Sequence, residues 1–369
     1  MSRAREFADL AGSADAGGLT GRNLIINGAM QVWQRQTAAT AAANTYNTVD
    51  RFRINNSTDG AYTSEQSTDT PSGTGYSLKL QVTTADTSMS AAQNAYLFHA
   101  IEAQNLQHLN YGTSDAKTVT LSFWVKSSKT GTYAVAVLKQ DNTGCMFTHE
   151  YTVSSANTWE KKTITITPTA GGTSLITSAG GAIDNDNGTG LRLVWGLAWG
   201  SNFTNGTNNS WASTTSANYS TTNAVNWMDS TSNNFYLADV QLELGDTATP
   251  FEHRSYGDEL ARCQRYYEKS YSDSTAPGTI TITGVIRFRA ASNGVEFPLS
   301  FLVKKRSAPT VTLYSYATGA SGNIRDISAG LDGAAAVASI GEIWCFPTKN
   351  TLGTDGNQYA IHFTADAEL

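Results

Sequence analysis

The sequence predicts an all-β protein: an antiparallel β-sandwich of the jelly-roll kind, then a short helix, then a second, smaller β-domain. Three observations carry that expectation. Runs with an apolar residue at every second position recur along most of the chain, which is the period of a half-buried strand. The stretches between them are rich in Gly, Asn and Ser, residues that supply turn conformations. No segment between Asn23 and Pro250 carries a sustained helical stripe, which disfavours a parallel α/β sheet with crossover helices.

At 369 residues the chain is long enough for two or more domains. Charged residues make up 15%, below the usual quarter, and suit a surface of hydroxyls and amides. A formal net charge of −6 gives no basic footprint for nucleic acid or an anionic bilayer, so neither is expected as a partner. No apolar run is long enough for a membrane span, and no signal-peptide pattern opens the chain. Cys145, Cys263 and Cys345 match no metal or redox spacing and read as small buried apolar residues.

Taken in order, residues 1–22 form an arm, with a short helical pattern around Phe7 and Leu10 that needs another surface to become ordered. The sandwich spans 23–255. NLIING (Asn23–Gly28) reads as a strand entering an Asn-Gly turn, and the following run alternates Met30, Val32 and Gln34 against Gln31 and Trp33. Further strands are expected at Arg51–Ile54, Ser77–Thr83, Ala95–Ala103, Lys117–Lys126, Gly131–Gln140, Phe147–Val153, Lys161–Thr167, Leu191–Trp199 and Phe235–Leu244. Between the last two lies a long polar stretch, 200–233, that holds Phe203, Trp211, Tyr219 and Trp227. Spaced aromatics argue for an ordered excursion pinned to the sandwich.

Gly245, Asp246 and Pro250 end the sandwich, and Asp258 can cap a connecting helix over 256–272. Leu260, Cys263, Tyr267 and Tyr271 recur there at helical offsets, a stripe for contact between domains or protomers. A β-domain over 273–369 follows, with strands at Thr279–Ala290, Val295–Val303, Thr310–Tyr316, Gly341–Phe346 and Gln358–Phe363, and a tail from Thr364 to Leu369.

Signatures of catalysis are missing. There is no G-x-S-x-G elbow and no H-E-x-x-H, and the five scattered histidines read as structural. Asp184 and Asp186, in AIDNDNGTG, have the alternation of a Ca²⁺ loop but lack its distal Glu, so an Asx-rich turn is the expectation. Glu102 and Asp115 could be offered as paired carboxylates, although the sequence gives no separation for them. The better signal is aromatic residues on polar loops. Trp and Tyr faces take the apolar C–H faces of sugars while amides bond the hydroxyls, which makes Trp211, Tyr219 and Trp227 the candidate glycan contacts, with plugging of the sandwich ends as the alternative.

The segments NLIINGAMQVWQRQT, VDRFRI, SFWVKSSKTGTYAVAV, YLADVQLELGDTATPFEHRSYGDELARCQRYYEKSY and the ending FTADAEL resemble phage virion proteins of the tail-fibre or minor structural class, of the marine and cyanobacterial phage type. The resemblance runs from Asn23 to Leu369, and RCQRYYEKSY is its most specific part. The first domain also resembles carbohydrate-binding jelly rolls. That likeness implies opening and closing strands side by side and a structural Ca²⁺ near them, with Asp239 at the matching position and Gln241 and Glu243 as alternatives.

The resemblance implies a non-enzymatic virion protein, a homotrimer attached to other tail or capsid proteins through its N-terminal arm and contacting host surface polysaccharide. Synthesis in the host cytoplasm followed by lysis would account for an external role without a signal peptide. Two other classes compete: a depolymerase of surface polysaccharide, and a secreted carbohydrate-binding module.

Overall fold

Period-two runs between residues 38 and 244 pair into two six-stranded antiparallel sheets. A computed structural model of the chain describes residues 21–41, 44–289, 297–349 and 356–369; Phe7 and Leu10 lie outside them. The first sheet runs β1 (Ala38–Thr40), β3 (Ala61–Ser67), β4 (Ser77–Thr84), β12 (Asn234–Leu244), β6 (Val119–Ser127) and β9 (Glu160–Ile166). The second runs β11 (Ser210–Ser213), β8 (Cys145–Val153), β7 (Gly131–Lys139), β10 (Thr189–Trp199), β5 (Asn94–Glu102) and β2 (Phe52–Asn56). Their inner faces interdigitate as one core in which Leu193 and Trp195 of β10 meet Phe123 of β6 and Phe235 and Leu237 of β12. The chain is an all-β jelly-roll sandwich with a second β-domain. Strands β1, β3 and β11 escape a periodicity reading because they are short or polar, with AYTSEQS as the sequence of β3.

NLIING does run beside the last strand, but by isolated bonds rather than as a ladder. Leu24 N–H donates to the Leu242 carbonyl at 2.8 Å, and Val240 N–H to that of Gly28 at 2.9 Å. Asn27 prevents regular pairing. At φ 61° it sits in the left-handed region that Asn tolerates. Its side chain accepts from the N–H groups of Gln31 and Val32 and donates to the carbonyls of Val32 and Asp50. The alternation expected after it fails for that reason: Met30, Val32, Trp33, Gln34 and Arg35 are all buried.

Helix α1 spans Tyr256–Gln264, capped by Ser255, whose hydroxyl accepts from Asp258 N–H. It stops well short of residue 272, because the Tyr- and Lys-bearing residues after it pair as β13 (Tyr267–Lys269) with β20 (Gln358–Asp366). Aromatic residues favour strands when a partner edge is present. The second domain comprises β13, β14 (Ile286–Arg289), β15 (Leu299–Ser300), β16 (Thr310–Tyr314), β17 (Asn323–Asp326), β18 (Leu331–Ala338), β19 (Trp344–Lys349) and β20. Strand β20 organises it, taking β13 and β16 along its second half and β14 and β17 along its first. The expected tail from Thr364 is instead strand as far as Asp366, and Leu369 packs onto the outside of the second sheet.

Segments that are far apart in sequence meet in a buried seam between the domains. Glu368 pairs with Arg51 and, at 3.3 Å, with Arg35, which also holds Asp50 at 2.8 Å. The guanidinium of Arg51 lies 3.5 Å from the Tyr266 ring centre, and that of Arg35 lies 3.7 Å from the Tyr267 ring centre. Glu102 accepts from Arg265 at 2.6 and 3.0 Å and from the Tyr266 hydroxyl at 2.7 Å. The motifs VDRFRI, RCQRYYEKSY and FTADAEL thus meet as one inter-domain clamp.

Candidate functional site

The outer face of the second sheet is the candidate. Pairing register sets Asn55, Tyr96 and Gly196 side by side in one row across β2, β5 and β10, and Arg53, Phe98 and Val194 in the next. Gly196 leaves a gap that the Trp199 indole fills, lying so close to the sheet that a Cβ at Gly196 would strike its ring. Around Trp199 gather Tyr96, Tyr219 and Phe203. The Tyr96–Trp199, Trp199–Tyr219 and Tyr96–Tyr219 ring centres are 5.3, 5.3 and 6.3 Å apart, with interplanar angles of 13°, 28° and 20°. A column of three stacked rings would put its outer pair about twice as far apart as its neighbours, so these rings tile as an offset layer. The tyrosines and Phe203 stay half-buried, which leaves an aromatic shelf open to solvent at its edges.

Two cations border it. Arg192 lies 4.5 Å from the Phe98 ring centre, and Arg53 lies 5.5 Å from the same ring. Arg53 donates to the Asn44 carbonyl at 2.9 Å, and neither guanidinium has a carboxylate partner among the described residues. Burial pushes the Tyr96 and Tyr219 hydroxyls above the ordinary range, with Arg192 pulling the other way. Both therefore remain protonated donors at neutral pH.

The excursion over 200–233 supplies Phe203 and Tyr219 and is held firmly. Strand β11 pairs with β8, Ser220 N–H donates to the Phe203 carbonyl at 2.9 Å, and Glu150 accepts from Thr221 at 2.5 Å and Asn223 at 2.9 Å. Of the three candidate glycan contacts, Tyr219 is on the shelf. Trp211 and Trp227 are not, being 1% and 0% exposed. The Trp211 indole donates inward to the Thr167 carbonyl at 2.9 Å, and Trp227 packs edge-on against Tyr62. They plug the sandwich because flat indoles fill the space between two sheets.

Tyr96, Trp199, Arg53 and Arg192 escaped the sequence reading, and Phe203 was read only as one of the aromatics that pin the excursion. Strand β5 carried a signal for Tyr96 alone: in NAYLFHAIE both alternating sets are largely apolar, which means that both faces are covered or used.

The other candidates have structural places. Asp239 lies in the bulge of β12 at φ 47°. Burial raises its carboxyl, with His253 and Lys161 as the neighbours that pull it down. The surrounding acids are already taken. Glu243 accepts from Gln241 at 2.8 Å and Thr249 at 2.5 and 2.9 Å, and Glu252 accepts from Gly21 N–H at 2.5 Å and Asn23 N–H at 2.6 Å. The Lys161 ammonium nearby and the filled lone pairs do not fit a Ca²⁺ site, and no group of three metal-ligating side chains forms among the described residues. Asp186 makes the expected Asx turn, accepting from Gly188 N–H at 2.8 Å.

Leu260, Cys263, Tyr267 and Tyr271 form no external stripe. Cys263, Tyr267 and Tyr271 are 0%, 4% and 4% exposed inside this chain, Leu260 is half-buried, and the helix ends before either tyrosine. The helix turns Glu259 and Cys263 inward.

No protein-family model matches the chain, and no curated protein does. Among solved structures, it is similar to a Bacteroides thetaiotaomicron protein provisionally assigned to sugar binding, at TM-score 0.35 and 14% identity over 61% of this chain and 100% of that one. It is also similar to a CBM4 structure, at TM-score 0.28 and 14% identity over 60% and 99%. A third similarity is to the enzymatically active domain of bacteriophage CBA120 tailspike protein 4, at TM-score 0.28 and 11% identity over 60% of this chain and 21% of that one. At this level of likeness, the assignment to an all-β sandwich rests on the sheets themselves.

Proposed function

We propose that the protein is a non-enzymatic, glycan-binding structural component of a phage virion, a tail fibre or receptor-binding protein that meets host surface polysaccharide through the aromatic shelf. The single observation that supports this reading is the offset layer of Tyr96, Trp199 and Tyr219, open at its edges and bordered by Arg53 and Arg192. Aromatic faces suit sugar C–H surfaces, and hydroxyls and guanidiniums suit sugar oxygens. Two cations without carboxylate partners favour a polysaccharide that carries carboxylates or sulfates.

The non-enzymatic part is supported by Glu102, the most buried of the candidate carboxylates, which is committed to Arg265, Tyr266 and Gln104. Assembly as a homotrimer belongs to the same proposal, with the interface in the second domain. There Ile280, Ile282, Leu302, Leu331 and Ile343 are all more than half exposed, at 66, 67, 78, 66 and 54%. An interface between protomers would cover these side chains and take their apolar surface out of water.

Calorimetric titration of the full chain with acidic and neutral oligosaccharides tests the binding. Acidic sugars should bind saturably, and Tyr219→Ala or Arg192→Gln should weaken them about tenfold. Release of new reducing ends from the sugar would instead favour a depolymerase. Antibody against residues 273–369 should decorate intact particles of the encoding phage; unlabelled particles would remove the virion role.

A further inference from the structure

The second domain turns a polar face toward the sandwich. Register places Tyr267, Asp366 and Thr310 abreast in β13, β20 and β16, then Lys269, Thr364 and Thr312, then His362 beside Tyr314. The intervening residues Phe363, Leu313 and Ala365 point the other way, into the domain's core. Polar side chains on this face therefore follow directly from the period of two. Between this floor and the sandwich segment that carries Arg35, Gln36, Tyr46 and Asn47 lies a cleft of about 590 Å³. Its size falls within the range of small-molecule sites, which favour domain boundaries.

The charges in the cleft are neutralised. Arg35 and Asp366, the charged residues of the lining, pair with each other at 3.2 Å, and Arg35 is further held by Asp50 and Glu368. The Lys269 ammonium turns away to the Asp273 and Thr275 carbonyls at 2.8 and 2.6 Å. What remains for a ligand is uncharged. The hydroxyls of Thr310, Thr312 and Thr364 and the Gln36 amide make no side-chain hydrogen bond among the described residues, and three tyrosine rings, Tyr46, Tyr267 and Tyr314, stand around them. Neutral donors and acceptors interleaved with aromatic rings match the mixed hydroxyl and C–H surface of an uncharged sugar.

We infer that this cleft is a second saccharide site, selective for neutral sugar, in which the ligand touches both domains at once. It does not depend on the shelf, whose unpaired arginines favour acidic sugar. The test is titration of the full chain with short neutral gluco-, galacto- and manno-oligosaccharides. At least one should bind saturably, and Thr312→Arg, which fills the cleft, and Tyr314→Ala should each weaken it about tenfold or more, while Tyr219→Ala leaves it unchanged. Gln36→Ala, at a half-buried site outside both cores, provides a variant that keeps the fold if the others disturb it, and should also weaken binding. Absence of any neutral-sugar binding, or binding that survives all three cleft variants, would overturn the inference. Failure of the shelf would look different: acidic sugars would not bind, whatever happens at the cleft.

Discussion

Truncating Glu368 to Ala should loosen the seam that joins the two domains. The carboxylate, 5% exposed, serves two buried guanidiniums, those of Arg51 and Arg35. Removing one member of a buried pair costs about 3–5 kcal/mol, because the other charge stays desolvated. The two arginines are not equally affected. Arg35 retains Asp50 at 2.8 Å, whereas Arg51 is left with the Ala100 carbonyl at 2.7 Å and the face of Tyr266. One orphaned cation rather than two argues for the lower end, about 3 kcal/mol. Urea unfolding of the full chain measures it, with limited proteolysis between the domains as a second readout. Replacing Arg51 and Glu368 together by Met should restore most of the loss, since apolar replacement of both partners removes the uncompensated charge. A Glu368→Ala loss under about 0.5 kcal/mol, the level of an ordinary surface change, would refute the docking of the C-terminal residues.

Three more expectations follow from named contacts. Gly28→Ala would drive a Cβ into the Val240 carbonyl oxygen where the opening segment meets β12, and should cost about 1–3 kcal/mol as overpacking in the same unfolding assay. Trp227→Ala should cost about 3–5 kcal/mol, as a cavity in the core, while Tyr219→Ala changes the melting temperature little; thermal scans of both separate core plug from shelf residue. For Glu102, burial alone would raise the carboxyl, but hydrogen bonds from Arg265 and Tyr266 hold it below the ordinary value. Its stabilisation is therefore complete above the unfolded value of about 4.3 and lost as pH falls through the folded one. Glu102→Gln should be less stable at neutral pH and lose part of the acid sensitivity seen in melts across the acid range.

The long strands were legible because their alternation survives in both sheets. Ser77–Thr83 was expected and Ser77–Thr84 is found, and Leu191–Trp199 sits inside Thr189–Trp199. Helix α1 was legible near its start, although Ser255 takes the capping place that the sequence offered to Asp258, which sits in the first turn, but not at its end. Nothing local in RYYEKSY distinguishes a helical stripe from a strand, and the arbiter is the edge of β20, some hundred residues further on. The shelf was only partly legible. Tyr219 stood out on a polar loop, yet its companions Tyr96 and Trp199 lie in strands where an aromatic residue reads as core. Trp211 and Trp227 stood out equally and turned inward, because which face of a loop meets the sheet depends on tertiary packing rather than on local pattern. The clamp formed by Arg35, Arg51, Glu102, Tyr266 and Glu368 draws on segments at both ends of the chain, and no window of sequence contains it.

The central claim, that the outer face of the second sheet binds host glycan, is tested most directly by titrating an acidic oligosaccharide into the full chain and into the Tyr96→Ala/Tyr219→Ala variant. The account expects saturable binding to the parent chain and its loss, by tenfold or more (about 1.4 kcal/mol), in a variant that still melts cooperatively. Equal binding by both proteins, or none by the parent chain, would contradict it.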